Sequence, residues 1–445
     1  MYQKTVVVKG INDLNDLVNN KKLRTLYAGN FHTYAQIYTT RIHHEDISEI
    51  LNILKSSFPG IKIAGMSMFG MGDFNNQYTA MLSFMFFKRS ETQTFLYDFT
   101  KISESEGAEE LNRKLKGIRH LKGVHLFPVG DTIGISKIID TVSEGLDGIP
   151  FFGALASNHF DDYFQGARAY AFTDNAVEYG LAAVAYCGKD LKIRNDACLG
   201  WKPLGRTFTA HVNDTVDLKI GETCLEKLDD TPVAEVYKYY LDADLNAYNM
   251  ANINEFPIII NRDGTPFVRI PFYCGEHGEL YYYGDIKEGE QLQIGYGNPK
   301  EIIDESEKLS LRMQDFYPEA MTNFFCVSRY MLLNTRYKKE LEFFTRMLPQ
   351  ATHAFGAGEI FRQHGVGGLL AGSIVSICFR EGPVSDSTPK TYFKQSTNIR
   401  PGGLVPLSER LVSYLEKTSY DLNEMVQKAG QANKAKSEFL SKMSH

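Results

Sequence analysis

Two glycines and a glutamate near the end of the chain form its best candidate for a small-ligand site. The segment is Gly356-Ala-Gly-Glu-Ile360, and Arg329 ends the apolar strand predicted before it. Glycines let the backbone approach a ligand closely, and the carboxylate of Glu359 suits an ammonium group. The guanidinium of Arg329 suits a carboxylate, which it can bind with two hydrogen bonds. Gly356, Gly358, Glu359 and Arg329 are therefore predicted to bind a zwitterion. The alternative is a structural turn with a Glu–Arg pair.

A loop from Cys198 to Gly205 carries the only tryptophan of the chain, Trp201. An indole ring can cover a ligand by stacking or by a cation–π contact, so Trp201 joins the predicted ligand-binding residues. The alternative is that the ring anchors the core or an interface.

No residue pattern indicates a metal site or a catalytic centre in the body of the chain. The six cysteines are scattered without a Cys-x-x-Cys pair, which predicts free buried thiols rather than a zinc ribbon. There is no nucleophile elbow, P-loop or His-Glu-x-x-His motif. A heme would need a histidine as axial ligand, and His353 and His364 flank the Gly-Glu segment, but no pattern selects either. No cofactor is therefore predicted, and heme stays an alternative.

Length, charge and hydropathy narrow the class of protein. A chain of 445 residues predicts about two or three domains. Its net charge of −6 argues against nucleic acid as the main partner, because no basic excess is present to meet phosphates. No apolar stretch approaches the roughly 18–20 residues of a spanning helix, and the N-terminus lacks a signal-peptide core. A cytoplasmic protein without a membrane partner is expected.

The segments that must position these residues follow a pattern that occurs three times. Each copy has an apolar strand, an amphipathic helix, a break with Gly or Pro, a strand with a Gly-small step and a very apolar strand. The predicted elements lie near 26–29, 46–56, 63–67 and 79–87; near 123–129, 134–144, 150–156 and 179–186; and near 322–327, 337–347, 353–360 and 371–379. The threefold occurrence of this pattern is explained equally well by a duplication and by the general pattern of layered folds. The expected class is α+β, with layered mixed sheets and flanking helices.

Between the second and third copies, residues 187 to 320 read differently, with a helix near 232–241 and a hairpin around Asn261-Arg-Asp-Gly264. The predicted domains are therefore 1–186 and 187–381. A linker rich in Pro and Ser follows at 382–405, and a long helix at 406–445.

The long helix has a heptad pattern. One set of positions is Leu411, Thr418, Met425, Ala432 and Phe439, and the second is Leu415, Leu422, Ala429, Lys436 and Met443. Apolar residues at most of these positions predict a coiled coil, here a parallel homodimer. The alternative is a single helix that packs on the body of the protein.

The last residues, Ala435-Lys-Ser-Glu-Phe-Leu-Ser-Lys-Met-Ser-His445, resemble the start of the first helix of a histidine-kinase dimerisation domain. In that family the histidine is phosphorylated, so the resemblance implies His445 as phosphoacceptor and a response regulator as partner of the full-length kinase. A neutral imidazole nitrogen is a suitable nucleophile near pH 7. ATP would act only through a kinase domain that the sequence lacks, so the chain alone is expected to be inactive.

The body of the chain resembles a FIST sensory module with an N-terminal and a C-terminal FIST segment. The resemblance runs from about residue 26 to 380 and rests on the segments Ile61–Ser67, Pro150–Ala156, Cys198–Gly205, Phe325–Arg329 and Phe355–Ile360. It implies an intracellular small-ligand sensor. Amino acids are proposed ligands in this family, and some members bind heme and respond to nitric oxide.

The two resemblances together predict the cytoplasmic ligand-sensing module of a two-component sensor histidine kinase, followed by a signalling helix. Two alternatives remain open. One is a heme-based gas sensor on the same scaffold, and the other is a non-catalytic dimerisation or interaction module.

Overall fold

A computed structural model describes residues 1–40, 43–69, 79–158, 168–216, 218, 220–242, 245, 253–384, 415, 417–420, 422 and 424–434. The helices of the body are α1 (Ile11–Asn19), α2 (Lys21–Ala28), α3 (His44–Ser57), α4 (Glu104–Lys116), α5 (Ile135–Ser143), α6 (Val233–Leu241), α7 (Pro299–Gln314), α8 (Val327–Leu333) and α9 (Tyr337–Met347). The strands of the first half are β1 (Tyr2–Val8), β2 (His32–Thr40), β3 (Lys62–Ser67), β4 (Thr79–Phe87), β5 (Glu91–Asp98), β6 (Leu121–Val129), β7 (Phe151–Ala154), β8 (Ala171–Phe172), β9 (Ala176–Val177), β10 (Gly180–Cys187) and β11 (Leu191–Cys198). Those of the second half are β12 (Trp201–Val212), β13 (Thr223–Leu228), β14 (Thr231–Pro232), β15 (Ile258–Arg262), β16 (Thr265–Arg269), β17 (Pro271–Cys274), β18 (Leu280–Tyr282), β19 (Gln291–Gly297), β20 (Ala320–Cys326), β21 (Thr352–Gly356), β22 (Glu359–Gln363), β23 (Val366–Leu370) and β24 (Ile374–Glu381). The predicted α+β class with mixed sheets and flanking helices is confirmed.

Three copies of one four-stranded unit build the body. The strand orders are β1-β4-β2-β3, β5-β10-β6-β7 and β11-β24-β20-β21, so each unit has the same order of first, fourth, second and third strand. In every unit the second and third strands are parallel and the other pairs antiparallel. The helices between the parallel strands are α3 in the first unit, α5 in the second, and the short α8 followed by α9 in the third. This shared topology favours duplication as the origin of the pattern in the sequence.

The helices form where apolar residues recur at helical spacing. In α3 the buried face is Ile47, Ile50, Leu51 and Leu54, which pack on the first sheet. In α4 a capping box begins the helix, because the Ser103 side chain accepts from the amide of Glu106 and the Glu106 carboxylate accepts from the amide of Ser103.

Four sequence predictions of local structure are wrong. Arg329, expected to end a strand, lies in α8, and the loop expected from Cys198 to Gly205 is a strand from Trp201 onward. The strand expected at 26–29 is the end of α2, a helix capped by the side chain of Asn20, and the strand itself is β2. The single strand expected at 353–360 is two strands, β21 and β22. The chain leaves the third sheet after Gly356 and enters the second sheet at Glu359.

The hairpin of β22 and β23 therefore belongs to the second sheet, where β22 pairs with β7 in the order β23-β22-β7-β6-β10-β5. Residues from the C-terminal half of the body thus complete a sheet of the N-terminal half. The predicted boundary at residue 186 lies at the end of β10, but the hairpin crosses it.

A separate sheet is inserted into the third unit between β11 and α7. It holds β12 to β19 in the order β16-β15-β19-β12-β13-β18-β17, with β14 beside β13 and α6 packed nearby. The region predicted as different, 187–320, therefore contains this insert together with the first strand and first helix of the third unit.

The three sheets meet at an aromatic triad, with one ring from the second strand of each unit. Tyr38 of β2, Phe127 of β6 and Phe324 of β20 have ring centroids 6.0 to 6.5 Å apart, all with edge-on geometry. All three side chains are buried. The triad marks the centre of the body, where equivalent positions of the three units pack on each other.

The C-terminal residues that the structure describes, 415, 417–420, 422 and 424–434, are helical, in agreement with the predicted helix. His445 and most of the predicted linker lie outside the described residues. None of the described helices is both long and apolar enough to span a bilayer.

Candidate ligand site

The carboxyl ends of the parallel strands from all three units come together. Backbone hydrogen bonds join them, from the Phe69 amide to the Phe355 carbonyl (3.2 Å), from Ser157 to Ser67 (3.1 Å) and from Leu155 to Gly358 (2.9 Å). In open α/β sheets ligands bind outside the carboxyl ends of strands. The predicted segment Gly356–Glu359 lies at this junction.

Glu359 begins β22 and is fully buried, opposite Ala154 of β7. Its Oε2 accepts a hydrogen bond of 2.5 Å from the Ser373 hydroxyl. Its Oε1 has no hydrogen-bond partner among the described residues, although the Cys326 thiol is close enough to influence the carboxyl. Burial raises the pKa of Glu359 well above its ordinary value, against the opposing effects of Ser373 and of the charge on Arg329. The carboxyl is thus biased toward its neutral form.

Arg329 is the third residue of α8, and the strand before it ends at Cys326. Only 1% of its side chain is exposed, and its ion-pair partner is Glu340 of α9, whose side chain is also 1% exposed, at 2.5 Å. The same guanidinium donates to the Gly372 carbonyl (3.0 Å) and the Ser306 hydroxyl (2.9 Å). The Glu–Arg pair considered from the sequence therefore exists, but with Glu340 in place of Glu359.

Arg329 also donates hydrogen bonds to two further backbone carbonyls. Its Nη1 donates to Leu199, in the segment before β12, and its Nη2 donates to Ile302 of α7. With Gly372 before β24, one buried side chain connects four segments of the third unit. Its Nε has no partner among the described residues. Whether this group also meets a ligand stays a prediction.

Gly356 and Gly358 are needed for close packing of the protein itself. A Cβ at Gly356 would lie 2.8 Å from the Cβ of Ala154, and one at Gly358 would lie 3.1 Å from the carbonyl oxygen of Leu370. The close approach that these glycines allow is therefore between β21, β7 and β23. A role in ligand binding stays a prediction for both.

Trp201 lies at the wall of a cleft with a volume of about 650 Å³. Its indole N–H donates to the Gly372 carbonyl at 2.7 Å, the same oxygen that Arg329 holds. The ring packs closely on two glycines, because a Cβ would come within 2.5 Å of the ring at Gly297 and within 2.3 Å at Gly372. Trp201 is thus both a packing anchor and a lining residue of the cleft.

The cleft is lined by both apolar and charged residues. Leu199, Phe361 and Leu370 contribute apolar lining, and six charged side chains also line it, namely Lys202, Glu301, Asp304, Glu305, Lys308 and Arg312. Three ion pairs of 2.6 Å occur here: Lys202 with Glu301, Lys308 with Glu305, and Arg312 with Asp196. The volume is typical of small-ligand sites, but the six charged side chains are more than such sites usually carry.

A second carboxylate, which is partly buried, joins the insert to the second unit. Glu222, just before β13, accepts hydrogen bonds from the amide (3.0 Å) and hydroxyl (2.9 Å) of Ser136 at the start of α5. Burial is the main cause that raises the pKa of Glu222 to about 7, and the negative charge of Asp285 adds to it. The hydrogen bonds from Ser136 act in the opposite direction.

The two histidines considered as heme ligands are placed differently. His353 lies in β21, with Nδ1 3.3 Å from the Asn323 amide and Nε2 3.0 Å from the Thr345 hydroxyl, and burial lowers its pKa to about 4. His364 is exposed in the turn between β22 and β23. Neither position gives a specific observation in favour of heme. The six cysteines are free and buried, as predicted.

Sequence reasoning missed Glu340, Ser373 and the charged face of α7. Glu340 and Ser373 carry no local motif, and each meets its partner only through the tertiary fold. The charged face of α7 could have been recognised in the sequence. Glu301 and Glu305 are four residues apart, as are Lys308 and Arg312, and this spacing places both pairs on one face of a helix.

Comparison with protein families identifies the two parts of the body. The FIST N domain matches residues 33–212, and the FIST C domain matches residues 234–362. A search of curated proteins gives no match. The two domains together span both halves of the repeated body, in the order that the sequence resemblance implied, and the chain therefore belongs to the FIST family of sensory-domain proteins.

Proposed function

We propose that this protein is the cytoplasmic ligand-sensing part of a two-component sensor histidine kinase. The ligand is a small molecule, with an amino acid as one candidate class, and its site includes the cleft at Trp201. Arg329 shares the Gly372 carbonyl with Trp201, and we include Glu359, Gly356 and Gly358 with it as the inner part of the proposed site. No cofactor is required by this proposal.

The observation that carries the proposal is the shared carbonyl of Gly372. It accepts from Trp201 in the cleft wall and from Arg329, and it stands two residues before β24. Among the strands that the structure describes, β24 is the last one before the C-terminal helical segment. A ligand that moves the wall would therefore act on the strand that leads to the output. It can do so only if it binds two arrangements with different affinity.

Dimerisation through the C-terminal helix is the second part of the proposal. Leu415 and Leu422 are each 57% exposed and Met425 is 66% exposed in the single chain. These residues belong to the predicted heptad positions, so pairing of two helices would bury them. The helix would then carry the signal to His445, the proposed phosphoacceptor, and through the full-length kinase to a response regulator. The same exposed residues support a non-catalytic dimerisation module equally well.

Native mass spectrometry of the purified chain, with a visible absorption scan, tests the sensing proposal. We expect a bound small metabolite that is absent from a Trp201→Ala variant, and a dimer that becomes monomeric in Leu422→Lys. The matched control is Glu424→Lys on the same helix, which should stay dimeric. A heme absorption band would favour the gas-sensor alternative. If no metabolite binds and a thermal-shift screen of metabolites also finds none, the sensing proposal is wrong.

A further inference from the structure

The cleft at Trp201 is an elongated groove between an extended segment and a helix. The segment 196–202 runs antiparallel to α7, because Asp196 pairs with Arg312 at one end and Lys202 pairs with Glu301 at the other. Positions 301 and 312 are eleven residues apart, which corresponds to about 16 Å along the helix axis. The groove is therefore several times longer than the distance between the two charged groups of one free amino acid.

Charge is distributed unevenly along this groove. One end holds Glu301, Asp304 and Glu305 together with Lys202, which pairs with Glu301. Lys308 lies midway and pairs with Glu305, and Arg312 lies at the other end. Asp304 makes no ion pair within the part of the chain that the structure describes, while each of the other five has one. Asp304 and Arg312 are eight residues apart, or about 12 Å along the axis of α7.

The other walls suit an extended chain. β16 and β23 are the outermost strands of their sheets among the described strands, and Thr265, Pro266 and Gly367 from these two strands line the groove. The edge of a sheet presents backbone N–H and C=O groups that can pair with a further extended segment. Trp201 and Phe361 supply apolar surface for side chains.

We propose that this groove binds a short linear peptide of about three residues with free ends. An extended tripeptide spans roughly 10 Å, which matches the separation of Asp304 and Arg312. Its ammonium group lies beside Asp304, and its carboxylate lies beside Arg312. A free amino acid carries both groups on one carbon and cannot reach Asp304 and Arg312 at once. The inference rests on the proposed sensing function and names the class of ligand for the same site.

The test uses the single tryptophan as reporter. The full chain is titrated with a pool of tripeptides that carry Ala, Leu, Ser, Lys or Glu at each position, and Trp201 fluorescence and thermal unfolding are followed. The same pool is then used with acetylated N-termini, with amidated C-termini, and as free amino acids. We expect the free-ended pool to bind, and each cap to weaken binding several-fold.

Two variants connect this effect to the groove. In Asp304→Asn, N-terminal acetylation should cause no further loss, because the carboxylate that it opposes is already gone. In Arg312→Gln, C-terminal amidation should likewise cause no further loss, because the guanidinium that binds the carboxylate is already gone. The control Asp16→Asn removes one exposed charge on α1 and should behave as the unaltered chain.

The outcomes separate the two proposals. If free amino acids bind and the tripeptide pool does not, the peptide inference is wrong while the sensing function stands. If capped and free-ended pools bind equally, the assignment of the two charged ends is wrong. If neither pool binds while another small metabolite does, the ligand class is wrong. If no small molecule binds at all, both proposals fail.

Discussion

Replacing Glu340 by Gln isolates the charge of the buried pair that joins α8 and α9. The side chains of Arg329 and Glu340 are each 1% exposed, and their closest atoms are 2.5 Å apart. Gln has nearly the same shape, and its amide oxygen can still accept from Arg329 and from the Ser306 hydroxyl. The substitution therefore removes one charge and leaves the geometry largely unaltered. Arg329 is then buried with neutral partners only.

The expected cost follows from the burial of that remaining charge. Removal of one partner from a buried ion pair destabilises a protein by about 3–5 kcal/mol, because the other charge stays in a poorly polarisable environment without compensation. Because the hydrogen bonds are retained, we expect the loss of stability in this variant to lie at the lower end of that range, at roughly 3 kcal/mol. We expect the free energy of unfolding to fall by that amount.

Urea unfolding followed by Trp201 fluorescence measures the loss, since this ring lies next to the network. The matched control is Glu342→Gln on the same helix. Glu342 pairs with Arg346 at 2.7 Å, but both side chains are more than half exposed, so less than about 1 kcal/mol should be lost. A loss below about 1 kcal/mol for Glu340→Gln would refute the reasoning, because the pair would then behave as an exposed one.

Three further predictions concern other groups. The pKa of Glu222, raised from 4.5 to about 7, means that the folded state binds this proton more tightly, so stability is lost as pH rises through about 7. Glu222→Gln should reduce the difference in unfolding free energy between pH 5 and pH 8 by up to about 3 kcal/mol. Glu359→Ala and Arg329→Ala should each abolish ligand-induced stabilisation in a thermal-shift assay, and unchanged stabilisation in both would contradict their placement in the site. Gly372→Ala should shift Trp201 emission to the red, since the new Cβ meets the indole ring at a φ of +65°.

The repeated units could be predicted because their signal is local. Helices α3, α5 and α9 show apolar spacing of three and four, and the strands that follow are nearly continuous in apolar residues. The prediction of a strand at 26–29 was wrong for a related reason. Its apolar residues are equally compatible with the last turn of a helix, and the cap at Asn20 decides between the two.

The candidate site was less predictable because its geometry is not local. Arg329 and Glu359 were selected by residue type; Glu359 lies at the junction of the three units, and Arg329 lies within the third unit. Their partners are Glu340 of α9 and Ser373 of the turn before β24. No spacing in the sequence indicates that these residues would be partners. The groove is harder still to foresee, since its walls come from three sheets and a helix.

The hairpin at 359–370 has a consequence for synthesis of the protein on the ribosome. The edge of β7 stays uncovered until about 200 more residues have been made, because its partner β22 comes so much later in the chain. At translation rates of about 5–20 residues per second this interval is roughly 10–40 s. During that time the nascent chain exposes an apolar strand edge, which is the surface that chaperones and neighbouring chains bind. Expression of residues 1–212 alone would make this exposure permanent.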